Sequence, residues 1–262
     1  MGQEQANALD FTGRVAVVTG GTRGVGRAVA ESFLDAGADV VVCGRHEVEN
    51  LPSAGGRAAS FVAADVRQAE EAAAVVDAAM AAHGRIDILV NNAGGTPTVA
   101  SDEASPGLVT SIVALNLLAP FFCAQSAYGA MRHQPGGGTI INIASVSGLR
   151  PSPGTAAYGA AKAGLINLTR TLAVEWAPTV RVNCVVAGLI ATEAAEGHYG
   201  GAQTMAAVAD TVPMGRLGTP QDVAGVCLFL ASPLAAYVTG AAVEAHGGGE
   251  SPAFLQALRR SG

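Results

Sequence analysis

Tyr158 and Lys162 stand four residues apart in GTAAYGAAKAG (154–164), a stretch otherwise made of small residues. A helix sets positions i and i+4 on one face, so the phenol and the ammonium present side by side. A free phenol titrates near ~10 and is a poor proton shuttle at neutral pH. A neighbouring ammonium favours the phenolate and lowers that value. A phenol tuned in this way can give a proton to a carbonyl or take one from an alcohol. The surrounding Ala and Gly leave room for a cofactor or a neighbouring subunit. A tyrosine and lysine at this spacing also recur by chance, so the pair gains weight only from its company.

Ser145 closes the apolar run GTIINIAS (138–145), thirteen residues before Tyr158. At the carboxyl edge of a strand, its hydroxyl can meet the same substrate oxygen. Asn116 lies inside the uncharged VALNLLAPFF. A buried amide is costly without hydrogen bonds, so a dedicated partner is expected, such as a water near Lys162. Serine hydrolysis is set aside, because Ser145 is not in G-x-S-x-G and no histidine has a matching partner role. The five histidines and four cysteines show no metal-ligand spacing, so no metal is expected.

The elements that must position these groups alternate along the chain. RVAVVTG (14–20), DVVVCG (39–44), AASFVAAD (58–65), IDILVNNAG (86–94), GTIINIAS, VRVNCVV (180–186) and GAAVEA (240–245) are near-continuous apolar runs. Such runs belong to strands covered on both faces. Helical segments are expected between them, at about 24–36, 68–83, 107–132, 154–177 and 220–231. The spacing predicts a single domain over 1–262. Its expected fold is α/β, a doubly wound, Rossmann-like, mostly parallel sheet of about seven strands with helices on both faces. The 262 residues suit that reading, with 50% hydrophobic and 14% charged residues.

Ligands of such a sheet sit at the carboxyl ends of its strands. There the first strand runs into TGGTRGVG (19–26) and then a helix. Gly20, Gly24 and Gly26 permit a tight turn and close backbone approach. The helix start beyond them offers free N–H groups and a positive dipole end to a pyrophosphate. Thr22, Arg23 and Val25 complete this candidate cofactor loop. At the end of the second strand an acid would pair with ribose hydroxyls and repel a 2′-phosphate. Here the strand ends in Gly44 and Arg45, with no acid before Glu47, and Arg23 adds a second guanidinium. A guanidinium suits phosphate, so NADP(H) is expected over NAD(H).

The net charge of −6 argues against a nucleic-acid partner. Four cysteines without a CxxC pair read as buried free thiols in a reducing, cytoplasmic compartment. The opening MGQEQANALD lacks the basic and apolar regions of a secretory signal. Residues 104–131 carry no charge and are long enough to span a bilayer. Asn116, Pro120 and Gln125 interrupt them, so a helix buried in the domain or at a subunit interface is expected, with no membrane partner. That helix, with the small-residue face of 156–173, predicts a homotetramer.

The chain resembles the short-chain dehydrogenase/reductase family, in particular its 3-oxoacyl-carrier-protein reductase branch. TGGTRGVG is similar to the family's TGxxxGxG loop, NNAG (91–94) to its fourth-strand motif, and Asn116, Ser145, Tyr158 and Lys162 to its catalytic tetrad. The likeness covers residues 10–249. It implies hydride transfer between a nicotinamide and a carbonyl or secondary alcohol, with Tyr158 as acid/base. By the same resemblance, Lys162 tunes Tyr158 and holds the nicotinamide ribose, Ser145 binds the substrate oxygen and Asn116 supports a proton relay. Asp65 and Val66 are similar to the adenine contacts. Asn92, Ala93 and Gly94 resemble the residues along the adenosine ribose, and Gly188, Ile190 and Thr192 those at the nicotinamide amide. Two departures stand out. Ala187 replaces the family's usual Pro before Gly188, and His246 its usual Asp before Gly247; the histidine reads as a surface loop change. Residues 193–215 are expected to be a mobile substrate lid. The alternative reading is a nucleotide-binding sensor or scaffold of the same fold, for which a complete tetrad would have no use.

Overall fold

A computed structural model describes residues 8–193 and 200–252 of the chain. Seven strands form one parallel sheet in the order β5-β2-β1-β6-β7-β8-β9. They are β1 (Val15–Thr19), β2 (Asp39–Gly44), β5 (Ser60–Ala63), β6 (Ile88–Asn91), β7 (Gly138–Ser145), β8 (Val180–Ala187) and β9 (Ala242–Ala245). Helices α1 (Gly24–Asp35) and α2 (Ala69–His83) serve the first half of the sheet. After β6 come α3 (Pro106–Val113) and α4 (Ala119–Met131); α5 (Ala156–Trp176) links β7 to β8, and α6 (Ala202–Ala209) and α7 (Pro220–Ala231) precede β9.

Side chains alternate across the pleat, so each strand feeds two cores. Ala16, Val18, Val40, Val42, Ile88 and Val90 pack against α1 and α7. Val17, Val41, Cys43 and Leu89 pack against α2, α4 and α5. Burial on both faces is why the strands carry apolar runs rather than an apolar–polar alternation. The strand order reverses between β1 and β6. A crevice opens there at the carboxyl ends, and this is where a doubly wound sheet takes its ligand.

Two local features depart from the sequence expectations. A hairpin of β3 (Ser53–Ala54) and β4 (Arg57–Ala58) was not anticipated. Its loop is Gly55-Gly56, with φ of 57° and 74°, the left-handed pair that a two-residue hairpin needs. The helix expected over 107–132 is also not one α-helix. Between α3 and α4 it widens into a π-helical turn, Ala114–Leu118, centred on Asn116. Pro120 explains the break: it has no N–H for the carbonyl of residue 116, and its ring crowds that carbonyl. The Pro106–Met131 stretch meets the length and hydropathy of a membrane span. In the fold, however, Asn116, Ala119, Pro120, Cys123, Ala124, Ala127 and Met131 are buried.

Candidate active site

Asn116, Ser145, Tyr158 and Lys162 come together at the carboxyl ends of β6 and β7. Gly94, just past β6, lies against two of them. A Cβ placed there would lie 2.8 Å from Asn116 Oδ1 and 3.2 Å from Lys162 Nζ. Lys162 Nζ donates to Ile143 O at 2.8 Å, on the strand that ends in Ser145. It also stands 5.6 Å from the centre of the Tyr158 ring. The small residues of α5 permit this closeness. Gly148 lies on the Lys162 backbone and Gly159 on Ser147 O, with room for a Cβ at neither.

Asn116 has the dedicated partners its burial requires, and they are backbone groups rather than the expected water. Its Oδ1 accepts from Gly95 N–H at 3.0 Å, and its Nδ2 donates to Gly95 O and Ile112 O, both at 2.9 Å. The π turn thus ties the loop after β6 to the helix that follows.

The expectation for Tyr158 needs correcting. Burial pushes its phenol above the ordinary value, and the nearby Ser145 hydroxyl pulls it only partly back. Lys162 contributes no lowering beside these two effects; its Nζ donates to Ile143 O. Burial draws Lys162 itself down to about 8. Burial thus favours the protonated phenol.

Beside the tetrad, the glycine loop fits a pyrophosphate. Gly20 and Gly24 have φ of 62° and 53°, a turn that side chains resist. A Cβ at Gly26 would lie 2.4 Å from both Gly20 O and Asn92 Nδ2. Arg23, just before α1, gives it no side-chain cap, and the first turn carries no acid, leaving its N–H groups for an anion. The NNAG segment braces the loop from below. Asn92 Nδ2 donates to Thr19 O at 3.0 Å and Gly20 O at 3.2 Å, while Thr19 Oγ1 accepts from the N–H groups of Asn92 and Ala93, both at 3.0 Å.

Gly44 ends β2 across from the loop, where a Cβ would meet Phe61, Thr22 Oγ1 and His46 O at ordinary distances of 3.7, 3.9 and 4.0 Å. Arg23 and Arg45 are exposed and make no ion pair among the described residues. Arg67 pairs with Asp65, holds its carboxyl below the usual range and donates to Ser111 Oγ. Val66 beside it is buried. The 188–192 loop closes the other side. Ile190 bridges to Gly218, and Thr192 Cγ2 lies 3.5 Å from where a Gly24 Cβ would be. The lid expected at 193–215 is described only in part. Residues 194–199 lie outside the described residues, and 202–209 form α6.

Sequence reasoning missed Thr19, Asn91, Asn142 and Thr169. Asn91 Nδ2 donates to Asn142 Oδ1, and Asn142 Nδ2 to Thr169 Oγ1, both at 2.9 Å. This buried chain ties β6, β7 and α5 beneath the tetrad. The signal was available as asparagines inside otherwise apolar strands. His246 is also no solvated surface residue. Its side chain is 17% exposed and hydrogen bonded to Glu244.

A family model described as enoyl-(acyl carrier protein) reductase matches residues 20–250. An uncharacterized oxidoreductase of Mycobacterium tuberculosis is 38% identical over 240 residues, 90% of this chain and 91% of its own length. A 3-oxoacyl-(acyl-carrier-protein) reductase of Chlamydia pneumoniae is 36% identical over 92% of this chain and 98% of its own. Among solved structures, the ligand-free aldohexose dehydrogenase of Thermoplasma acidophilum superposes with a TM-score of 0.84 at 30% identity, covering 91% of this chain and 94% of its own. The matched span takes in the glycine loop, the tetrad and the turn after β9. The chain therefore belongs to the short-chain dehydrogenase/reductase family of NAD(P)-dependent oxidoreductases acting on CH–OH and C=O groups, on the side of it that resembles the 3-oxoacyl-carrier-protein reductases.

Proposed function

We propose that this chain transfers a hydride between NADP(H) and a small carbonyl or secondary alcohol, with Tyr158 as the acid/base. The observation that carries the reading is the convergence of Asn116, Ser145, Tyr158 and Lys162 beside the uncapped start of α1. The nicotinamide, when bound, supplies or accepts the hydride. The chain's own residues do the rest. Ser145 holds the substrate oxygen beside the phenol. Tyr158, kept protonated by burial, gives that oxygen a proton in the reducing direction. Lys162 is a buried cation near the ring, and Asn116 holds Gly95 and with it the wall of the site. Asp65 and Val66 take the adenine; Asn92, Ala93 and Gly94 line its ribose. Gly188, Ile190 and Thr192 take the nicotinamide end. Residues 1–262 act as one domain, with 193–215 as the lid, and the buried free thiols support a cytoplasmic setting.

The choice of NADP(H) rests on Arg45 and Arg23 at the open end of β2. Hydrogen bonds to charged groups contribute about 1.5–3 kcal/mol, so one guanidinium on the 2′-phosphate favours NADP(H) by roughly tenfold or more. Wild type should show the higher kcat/KM with NADPH. Gly44→Asp/Arg45→Ala should lose that preference, since the space at Gly44 admits the new side chain. Equal or better use of NADH by wild type would show that the arginines do not read the phosphate.

We further propose a homotetramer. Val174 on α5 is 82% exposed, and Val109, Leu118 and Leu149 add apolar surface around the α3, α4 and α5 side. Exposed apolar area of this kind marks an interface. Sedimentation at micromolar concentration should give about four times the 26.0 kDa chain mass; a monomer there refutes the assembly.

A further inference from the structure

Three successive glycines follow His246, and all are left-handed: Gly247, Gly248 and Gly249 have φ of 64°, 93° and 81°. Gly249 N–H donates to His246 O at 3.1 Å, closing a tight turn at the end of β9. The turn touches both segments that frame the nicotinamide end. On one side, a Cβ at Gly188 would lie 2.6 Å from His246 Cα and 2.7 Å from its Cβ, and Gly188 N–H donates to Ala245 O at 3.0 Å. Across the turn, Met214 N–H donates to Gly247 O at 3.1 Å. Gly247 packs on Val212 and Gly248 on Pro213, with no room for side chains. The turn is therefore a hub between the 188–192 loop and residues 212–214.

The hub begins at His246. Residues 244 and 246 fall on one face of the extended strand, and His246 Nε2 is hydrogen bonded to Glu244 Oε2. A charged carboxylate only accepts, so with Glu244 ionised this bond requires the imidazole N–H at Nε2. Gly249 returns to within 3.9 Å of the imidazole edge, measured from its missing Cβ. The ring is thus held from its own strand and covered by its own turn.

We propose that His246 is a positioning residue for the cofactor. Its bond to Glu244 sets the 246–249 turn, and the turn, through Gly188, sets the 188–192 loop against the nicotinamide. The inference rests on the reading of that loop given under the proposed function. It makes a claim that general damage would not mimic: only the nicotinamide half of the cofactor should notice.

The test compares direct binding of NADPH with that of adenosine 2′,5′-bisphosphate, which lacks the nicotinamide, by calorimetry. His246→Ala should weaken NADPH binding by about tenfold, the worth of one hydrogen-bonded contact, and leave the bisphosphate unchanged. KM for NADPH should rise by more than kcat falls. His246→Gln, whose amide can donate to Glu244, should restore most of the affinity. Glu244→Ala should reproduce His246→Ala, the double variant should be no worse than either, and Glu244→Ala carries the test if His246→Ala does not fold. Equal weakening of both ligands, or NADPH binding unaltered in both alanine variants, overturns the inference while the proposed function stands. A wild type that binds neither ligand overturns the proposed function and this inference with it.

Discussion

Tyr158→Phe should abolish most turnover while leaving NADPH binding nearly intact. The phenol neighbours the Ser145 hydroxyl, and burial favours its protonated form. Its removal deletes a proton donor and leaves the ring in place. General acid–base catalysis is worth about 10²–10⁴-fold, and kcat should fall by that factor. The proposed cofactor contacts lie elsewhere, in the glycine loop and the 188–192 loop, so the dissociation constant should move by less than about twofold. Lys162 makes a sharp contrast. Its Nζ bonds Ile143 O and abuts Gly94, so its loss should damage binding and turnover together. If Tyr158→Phe retains more than roughly a tenth of the wild-type kcat, another group moves the proton.

Gly26→Ala should cost both stability and the cofactor. The added methyl carbon would sit 2.4 Å from Gly20 O and 2.4 Å from Asn92 Nδ2. The first neighbour is backbone. The second already donates to Thr19 O and Gly20 O. Neither can retreat without moving the loop that faces the α1 terminus. Overpacking of this kind costs about 2 kcal/mol, or roughly 4–8 °C of melting temperature for a chain of this size. Affinity for NADPH should fall by at least about tenfold as the N–H groups turn away from the phosphates. Gly225→Ala is the control. It lies in α7 with nothing within 4 Å of its missing Cβ, so alanine there should raise stability by about 0.5–1 kcal/mol. Unchanged melting and unchanged NADPH affinity in Gly26→Ala would show that the loop is not the phosphate cradle.

Much of this architecture was legible in the amino-acid order, for a physical reason. A parallel sheet covered on both faces leaves an unbroken apolar run wherever a strand passes, and all seven runs became strands. The tetrad was legible because a phenol and an ammonium at helical spacing have few partners in so uncharged a chain. Other features were hidden because they depend on pairings that no single segment contains. The Asn91–Asn142–Thr169 chain joins three elements far apart in sequence. The π turn at Asn116 had a local signal, Pro120 four residues on, but a proline is ambiguous until the neighbouring turns are known. The electrostatics of Tyr158 were inverted for a similar reason. Spacing shows that Lys162 is near; it does not show how deeply the phenol is buried, and burial is what raises it. His246 looked like an incidental change in a glycine-rich end, because neither Glu244 beside it nor Gly188 beneath it is marked as its neighbour by the sequence.

The most direct measurement follows the hydride itself. The purified chain is given NADPH carrying deuterium at the transferring position of the nicotinamide, with a panel of ketones and 3-oxoacyl thioesters, and the alcohols formed are read by mass spectrometry and NMR. One deuterium should arrive on the former carbonyl carbon, NADPH should be consumed in equal amount, and Tyr158→Phe should suppress both by about 10²-fold or more. Alcohol formed without deuterium at that carbon, or the same transfer at undiminished rate in Tyr158→Phe, would contradict the account. So would tight NADPH binding with no transfer to any carbonyl of the panel, the behaviour of a nucleotide sensor on this fold.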